Sequence, residues 1–250
     1  AEKVEGGFRL DGQKVWTSKG HKADWIFVLA RTDPKPKRKQ QGISFLLIDL
    51  KTSGIEVRPI ETMEGFQHFC ETFFTDVFVP DENLVGELHQ GWAVAKALLG
   101  HERFTHPTAH PYVIGTMIDR LKRTAREAPD GAGVAWDDPD LRRSVARLEM
   151  DVDCLRYTQY RALTKIEREG APGPEAMLFK LFGAELTQRI VELEQQVAGP
   201  EGVIWDETPR GDGVGFAARH ATNIRAGTIR GGTSEVQRNI LSKRVLGLPD

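Results

Sequence analysis

Cysteine is scarce, with only Cys70 and Cys154 in 250 residues. Their spacing matches no metal-binding pattern, and two thiols cannot staple a disulfide framework. Both lie in apolar stretches and read as core thiols of a cytoplasmic protein. Charge of one sign is also missing. A formal net charge of −2 gives no basic footprint for nucleic acid or for a membrane surface. Lys35, Lys37, Arg38 and Lys39 do cluster, but within the Pro-punctuated stretch Pro34–Gln41, which reads as a solvated hairpin tip. No apolar run reaches the length of a membrane span, and no signal-peptide pattern opens the chain. Internal repeats and low-complexity tracts are absent. What remains, 40% hydrophobic and 28% charged residues, is the composition of a globular chain of one or two domains.

The pattern changes near residue 90. Before it, Phe8-Arg9-Leu10 leads into Asp11-Gly12, a strong hairpin-turn pair, and then into Lys14–Thr17. Trp25–Ala30 and Ile43–Ile48 are short, nearly continuous apolar runs, whereas Ile55–Arg58 and Phe73–Val79 alternate. Pro80, lacking an N–H, closes the last strand. Short strands with frequent turns predict a partial β-barrel or sandwich. After residue 90 the period becomes helical. Gly91 opens a helix broken near Pro107 and Pro111, which resumes through Val113, Ile114, Met117 and Leu121. A second helix has Asp138 as cap, Pro139 at its first position and a stripe of Leu141, Val145, Leu148, Val152 and Leu155. A third carries Leu178, Phe182, Leu186, Ile190, Leu193 and Val197, and a fourth follows Ser234. The expected fold class is α+β, a partial β-barrel or sandwich domain followed by an antiparallel four-helix bundle.

Chemistry concentrates at Gly231-Gly232-Thr233-Ser234-Glu235-Val236-Gln237. Ser234 is the expected N-cap, and Gln237 can close a capping box. Free amides at such a helix start suit an anion or a polarised carbonyl, and glycine lets the backbone approach closely. The same residues also read as a plain glycine turn before a helix.

Five blocks in order resemble the acyl-CoA dehydrogenase family: GQKVWTSKGHKADWIFVLART from 12, GISFLLID from 42, FTDVFVPDENLVGE from 74, GWAVAKALLGHERF from 91 and GGTSEVQRNILSKRVLGLP from 231. The resemblance runs over nearly the whole chain and is weakest at 127–145 and 200–225. It implies a middle β-domain over 1–88, incomplete at its N-terminus, and a C-terminal helical domain over 89–250. The family has a helical domain ahead of these, so this 250-residue chain is expected to bind FAD weakly or not at all by itself. The implied reaction removes an α-proton and passes a β-hydride to the flavin N5 of FAD. Its base must be a carboxylate of raised pKa. One family position for it is occupied here by Gly231. The other is Glu102, next to Arg103 and among Leu98, Leu99 and Phe104, surroundings that favour a neutral carboxyl. Glu102 is the expected base, and Arg103 has a positional or electrostatic role.

By the same resemblance, Trp16, Thr17 and Ser18 face the flavin ring, Thr233 and Glu235 line the flavin or adenine side, and Gly231 and Gly232 meet the substrate. Gln196 and Gly199 match a contact to the pyrophosphate of a neighbouring subunit's FAD. Departures accompany these matches. Pro200-Glu201 replaces a second glycine and an asparagine, an expected arginine is absent from Asp130–Asp138, and Arg230 replaces a tyrosine. They keep open a non-catalytic companion subunit of a hetero-oligomer, and an acyl-CoA oxidase-like protein is a third reading. The implied partners are an acyl-CoA substrate, an electron-transfer flavoprotein and further copies of the chain in a homo-dimer or tetramer. No metal, nucleic acid or membrane is expected. The wording of the sheet segment resembles bacterial members acting on unusual acyl-CoA substrates.

Overall fold

The computed structural model describes residues 1–105, 110–170, 173, 177–205 and 216–249, with side chains described at all of these except 100–105 and 177. The chain forms two compact units, 1–101 and 102–250.

The first unit is built of β1 (Glu2–Val4), β2 (Gly7–Ser18), β3 (Trp25–Arg31), β4 (Ile43–Asp49), β5 (Ile55–Ile60), β6 (Phe69–Pro80) and β7 (Leu84–Val85). Two antiparallel sheets, ordered β1-β2-β6-β5 and β3-β4-β7, share one core. Phe8, Leu10, Phe74, Val77 and Val79 enter it from one sheet, and Val28, Ala30, Leu46 and Ile48 from the other. The described strands form this sandwich and no closed barrel.

Asp11-Gly12 is not a turn. β2 runs straight through it, and the tight turn is Glu5-Gly6, where Gly6 has φ 74° and Val4 pairs with Gly7. Pairing with the long strand β6 outweighs the local turn propensity. The Asp11 carboxylate instead accepts the Asp76 amide at 2.8 Å, where β6 carries an extra residue and Asp76 has φ 53°. That bulge resets the side-chain alternation of β6. Cys70, Thr72 and Phe74 point inward before it, and Val77 and Val79 after it.

Helix α1 (Gly91–Thr105) starts against β4. A Cβ at Gly91 would stand 2.4 Å from backbone atoms of Ser44 and Phe45, so only glycine fits there. The second unit contains α2 (Pro111–Glu127), a small hairpin of β8 (Pro129–Asp130) and β9 (Gly133–Val134), α3 (Pro139–Glu169), α4 (Met177–Ala198), α5 (Phe216–Arg225) and α6 (Ser234–Arg244). The described residues thus hold six α-helices where four are expected. Pro111 opens α2 at its first position, while Pro107 lies outside the described residues. Asp138 caps α3 as expected, its Oδ1 accepting the Asp140 amide at 2.8 Å. The core joins Ile114, Ile118, Leu121, Val145, Leu148 and Val152 with Phe179, Leu186, Ile190, Val191 and Ile224.

Two expectations about α3 and α4 change. Cys154 is exposed, because it falls off the buried stripe of Val152 and Leu155, while Cys70 is buried. On α4, Leu178 is 37% exposed and Phe179 only 1%. This helix is covered on more than one side, so a single apolar stripe does not describe it.

Candidate active site

The three residues at the end of β2 sit on a second bulge. Lys14 pairs with Thr72 and Thr17 with Cys70, so three steps on β2 face two on β6. Trp16 takes up the surplus at φ 65°, in the left-handed region. A bulky residue there is a genuine outlier, of the kind retained when neighbours over-determine the backbone. The bulge turns the indole outward at 61% exposure, edge-on to the Phe69 ring with centroids 5.7 Å apart. The Thr17 hydroxyl is 3.1 Å from that of Thr72. Ser18 ends the strand opposite Phe69 and is exposed. The Lys19 amide, at φ 52°, donates to the His68 carbonyl at 2.8 Å and closes the turn. An exposed flat ring beside the hydroxyls of Thr17 and Ser18 suits stacking against a planar aromatic ligand.

The second cluster is the bend before α6. Gly231 and Gly232 both have positive φ, 68° and 98°. A Cβ on Gly232 would meet Gln237 Nε2 at 2.5 Å. The N-cap is Thr233, not Ser234: its hydroxyl accepts the Val236 amide at 3.2 Å. Ser234 becomes the first helical residue, buried, with its hydroxyl unpartnered. Both residue types cap well, and the two positive-φ glycines set the chain entry one residue earlier. With Thr233 as cap, Gln237 is one position too far along to close a capping box. Glu235 is exposed, and a hydrogen bond from its own amide, then one from the Thr233 hydroxyl, hold its carboxyl below the usual carboxylate range.

Two cations stand beside this bend. Lys180 on α4 is buried and donates to the Gly227 carbonyl at 2.5 Å. Burial, then the neighbouring Arg230 charge, push its ammonium below the ordinary lysine range. Lys180 gave no signal in the sequence beyond a charged residue set between Phe179 and Phe182. Further along α4, Glu194 is buried and takes two hydrogen bonds from Arg120 at 2.8 and 3.0 Å, with His220 Nδ1 at 3.4 Å.

Gln196 and Gly199 lie at the other end of α4. Gly199 has φ 55° and begins a 3₁₀ turn, Gly199–Val203. Gln196 borders a cavity of about 270 Å³ together with Asp130, Asp138, Ser144, Leu193 and Val197. Carboxylates in that lining repel phosphate, and Pro200 has no N–H to offer. This end does not suit a pyrophosphate, whereas the Trp16 segment does suit a flavin ring. Glu102 and Arg103 fall on the last turns of α1, and their side chains lie outside the described residues. The described residues bring Gly231, Gly232, Thr233 and Glu235 into one bend, and Trp16, Thr17 and Ser18 into one bulge.

Two family models match the chain in order: acyl-CoA dehydrogenase, middle domain, over residues 1–77, and acyl-CoA dehydrogenase, C-terminal domain, over residues 89–246. Acyl-CoA dehydrogenase IpdE1 of Mycobacterium tuberculosis is 35% identical over 241 residues, which is 96% of this chain and 59% of that protein. The crystal structure of the ChsE4-ChsE5 complex from Mycobacterium tuberculosis is similar with a TM-score of 0.84 at 29% identity, over 100% of this chain and 64% of that one. A structure named Tcur3481-Tcur3483 steroid ACAD gives a TM-score of 0.85 at 27% identity, over 99% of this chain and 62% of that one. The chain spans less than two thirds of each of these, and 32% of another, longer curated relative. No helix among the described residues is long and apolar enough to cross a membrane.

Proposed function

This chain belongs to the acyl-CoA dehydrogenase family, a family of flavoprotein oxidoreductases, and from that premise we propose that it serves the FAD-dependent α,β-dehydrogenation of an acyl-CoA thioester. The observation that carries this reading is the ordered match to both domain models across 1–77 and 89–246. When bound, FAD supplies the hydride acceptor for the β-hydrogen, at its N5.

The residues divide the remaining work. Glu102 takes the α-proton as general base. Arg103 positions or electrostatically tunes that carboxyl. Trp16 lies against the flavin face, and Thr17 and Ser18 reach its edge. Thr233 and Glu235 follow the nucleotide, and the bare backbone of Gly231 and Gly232 approaches the thioester. Gln196 and Gly199 enter by resemblance alone. The same proposal includes the division into a β-domain over 1–88 and a helical domain over 89–250. It also includes assembly as a homo-dimer or tetramer, an electron-transfer flavoprotein as acceptor, and the cytoplasm as the location. The named steroid ACAD makes a steroid-derived acyl group the substrate class to try first.

In the full-length protein, Glu102→Gln is expected to leave FAD bound and to abolish its bleaching by acyl-CoA. Near-normal turnover in that variant would refute the assignment of the base. A second reading, a companion subunit, draws on Gly231 in place of a carboxylate, on the acidic lining beside Gln196, and on the complex named among the similar structures. Colourless protein that co-purifies with a homologue is its signature.

A further inference from the structure

Beside the α6 bend two cations lack an anion to match them. Lys180 is 6% exposed and its ammonium makes one hydrogen bond, to the Gly227 carbonyl. An ammonium has three protons to donate, so two are left over. The Nε–H of Arg230 is buried and unpartnered, and so is the hydroxyl of Ser234, itself 6% exposed. Glu185, the acid acting on Lys180 from the same helix, is engaged by Arg238. No carboxylate among the described residues pairs with Arg230. A buried ammonium with spare donors, beside a buried guanidinium N–H that has no partner, is stabilised when an anion joins them. Access is preserved by the residue type at 231. A Cβ there would stand 3.4 Å from Lys180 Cε, so any longer side chain would cover the lysine.

We propose that Lys180 and Arg230, under the Gly231–Gly232 bend, form a carboxylate site that selects acyl-CoA thioesters whose acyl group carries a second, free carboxyl group. The inference rests on the proposed function, in which Gly231 and Gly232 meet the substrate. The two oxygens of a carboxylate can accept from the ammonium and the guanidinium at once, the geometry of strong charge-assisted pairing. Phosphate shares that oxyanion chemistry, and the test separates the two.

Dissociation constants of the full-length protein would be measured calorimetrically for glutaryl-CoA and for pentanoyl-CoA, with the same carbon count, and again in 10 mM inorganic phosphate. The carboxylated thioester is expected to bind at least about tenfold more tightly. That preference should fall to within about twofold in Arg230→Gln, at a half-exposed position, and in Lys180→Met. Arg230→Lys should retain part of it. Equal affinity for the two thioesters would overturn the proposal, as would a preference that survives Arg230→Gln. Phosphate binding that depends on Arg230, with no advantage for glutaryl-CoA, would make this a phosphate site and overturn it too. Flavin bleaching by pentanoyl-CoA without any carboxylate preference sinks this inference and leaves the dehydrogenase reading standing. Binding of neither thioester overturns this inference and leaves the dehydrogenase reading to flavin bleaching by other acyl-CoA thioesters.

Discussion

Trp16 stands in a backbone conformation that costs an L-residue about 1–2 kcal/mol, since Cβ crowds the following carbonyl. Its ring recovers part of this against Phe69, an edge-to-face contact of about 0.5–1.5 kcal/mol. The exposed remainder of the indole recovers nothing in the described chain, which is the pattern expected of a residue kept for a ligand. The strain has a direct test. In an ordinary strand, alanine is more stable than glycine by about 0.5–1 kcal/mol. At a left-handed position the order inverts, so Trp16→Gly is expected to exceed Trp16→Ala in stability by about 1 kcal/mol. Urea denaturation of the two variants measures the difference, and alanine proving the better replacement would mean that the bulge relaxes once the indole is gone.

Polar residues recur every seventh position on α4, at Lys180, Thr187 and Glu194, and all three are buried. Two helical turns separate each pair, so they share a face. This explains why the apolar stripe read from Leu178 to Val197 is only half the description of the helix. Where a signal is local, it reads correctly from sequence: Asp138-Pro139 starts α3 at the expected residue. Where pairing with a distant strand competes, as at Asp11-Gly12, the local signal loses. Helix α5 carries too few apolar positions to register, and the α6 cap is displaced by a single residue. The candidate site divides similarly. The glycine bend is visible as a motif, whereas Lys180 and Arg230 acquire meaning only once α4 lies beside the bend. On the same face, Arg120 and Glu194 form a largely buried pair tying α2 to α4. Removing one partner should cost about 3–5 kcal/mol, because it leaves an uncompensated charge. Glu194→Ala is therefore expected to destabilise by that amount, and Glu194→Ala with Arg120→Met to recover most of it. A double-mutant cycle by thermal unfolding decides, and a double variant no more stable than the single would show the charge to be tolerated.

At the scale of the molecule, the described residues hold two apolar clusters with no residue in common. One lies between two sheets and the other among α2, α3, α4 and α5, in line with the division into units 1–101 and 102–250. Only α1 belongs to both by sequence, and its Gly91 end is fixed on the β4 side by the 2.4 Å approach of the Ser44 and Phe45 backbone. Proteins open in contiguous cooperative units, and a separate core is the physical basis of one. Leu46→Ala and Leu121→Ala each remove a fully buried side chain, one from each cluster, at a cost of about 2–5 kcal/mol. Amide exchange followed by mass spectrometry is expected to accelerate in β2, β4 and β6 for the first variant and in α2, α3 and α4 for the second. Each should leave the other set at its wild-type rate. If either substitution speeds both sets together, the two clusters open as one body, and the separation of the cores does not make separate cooperative units.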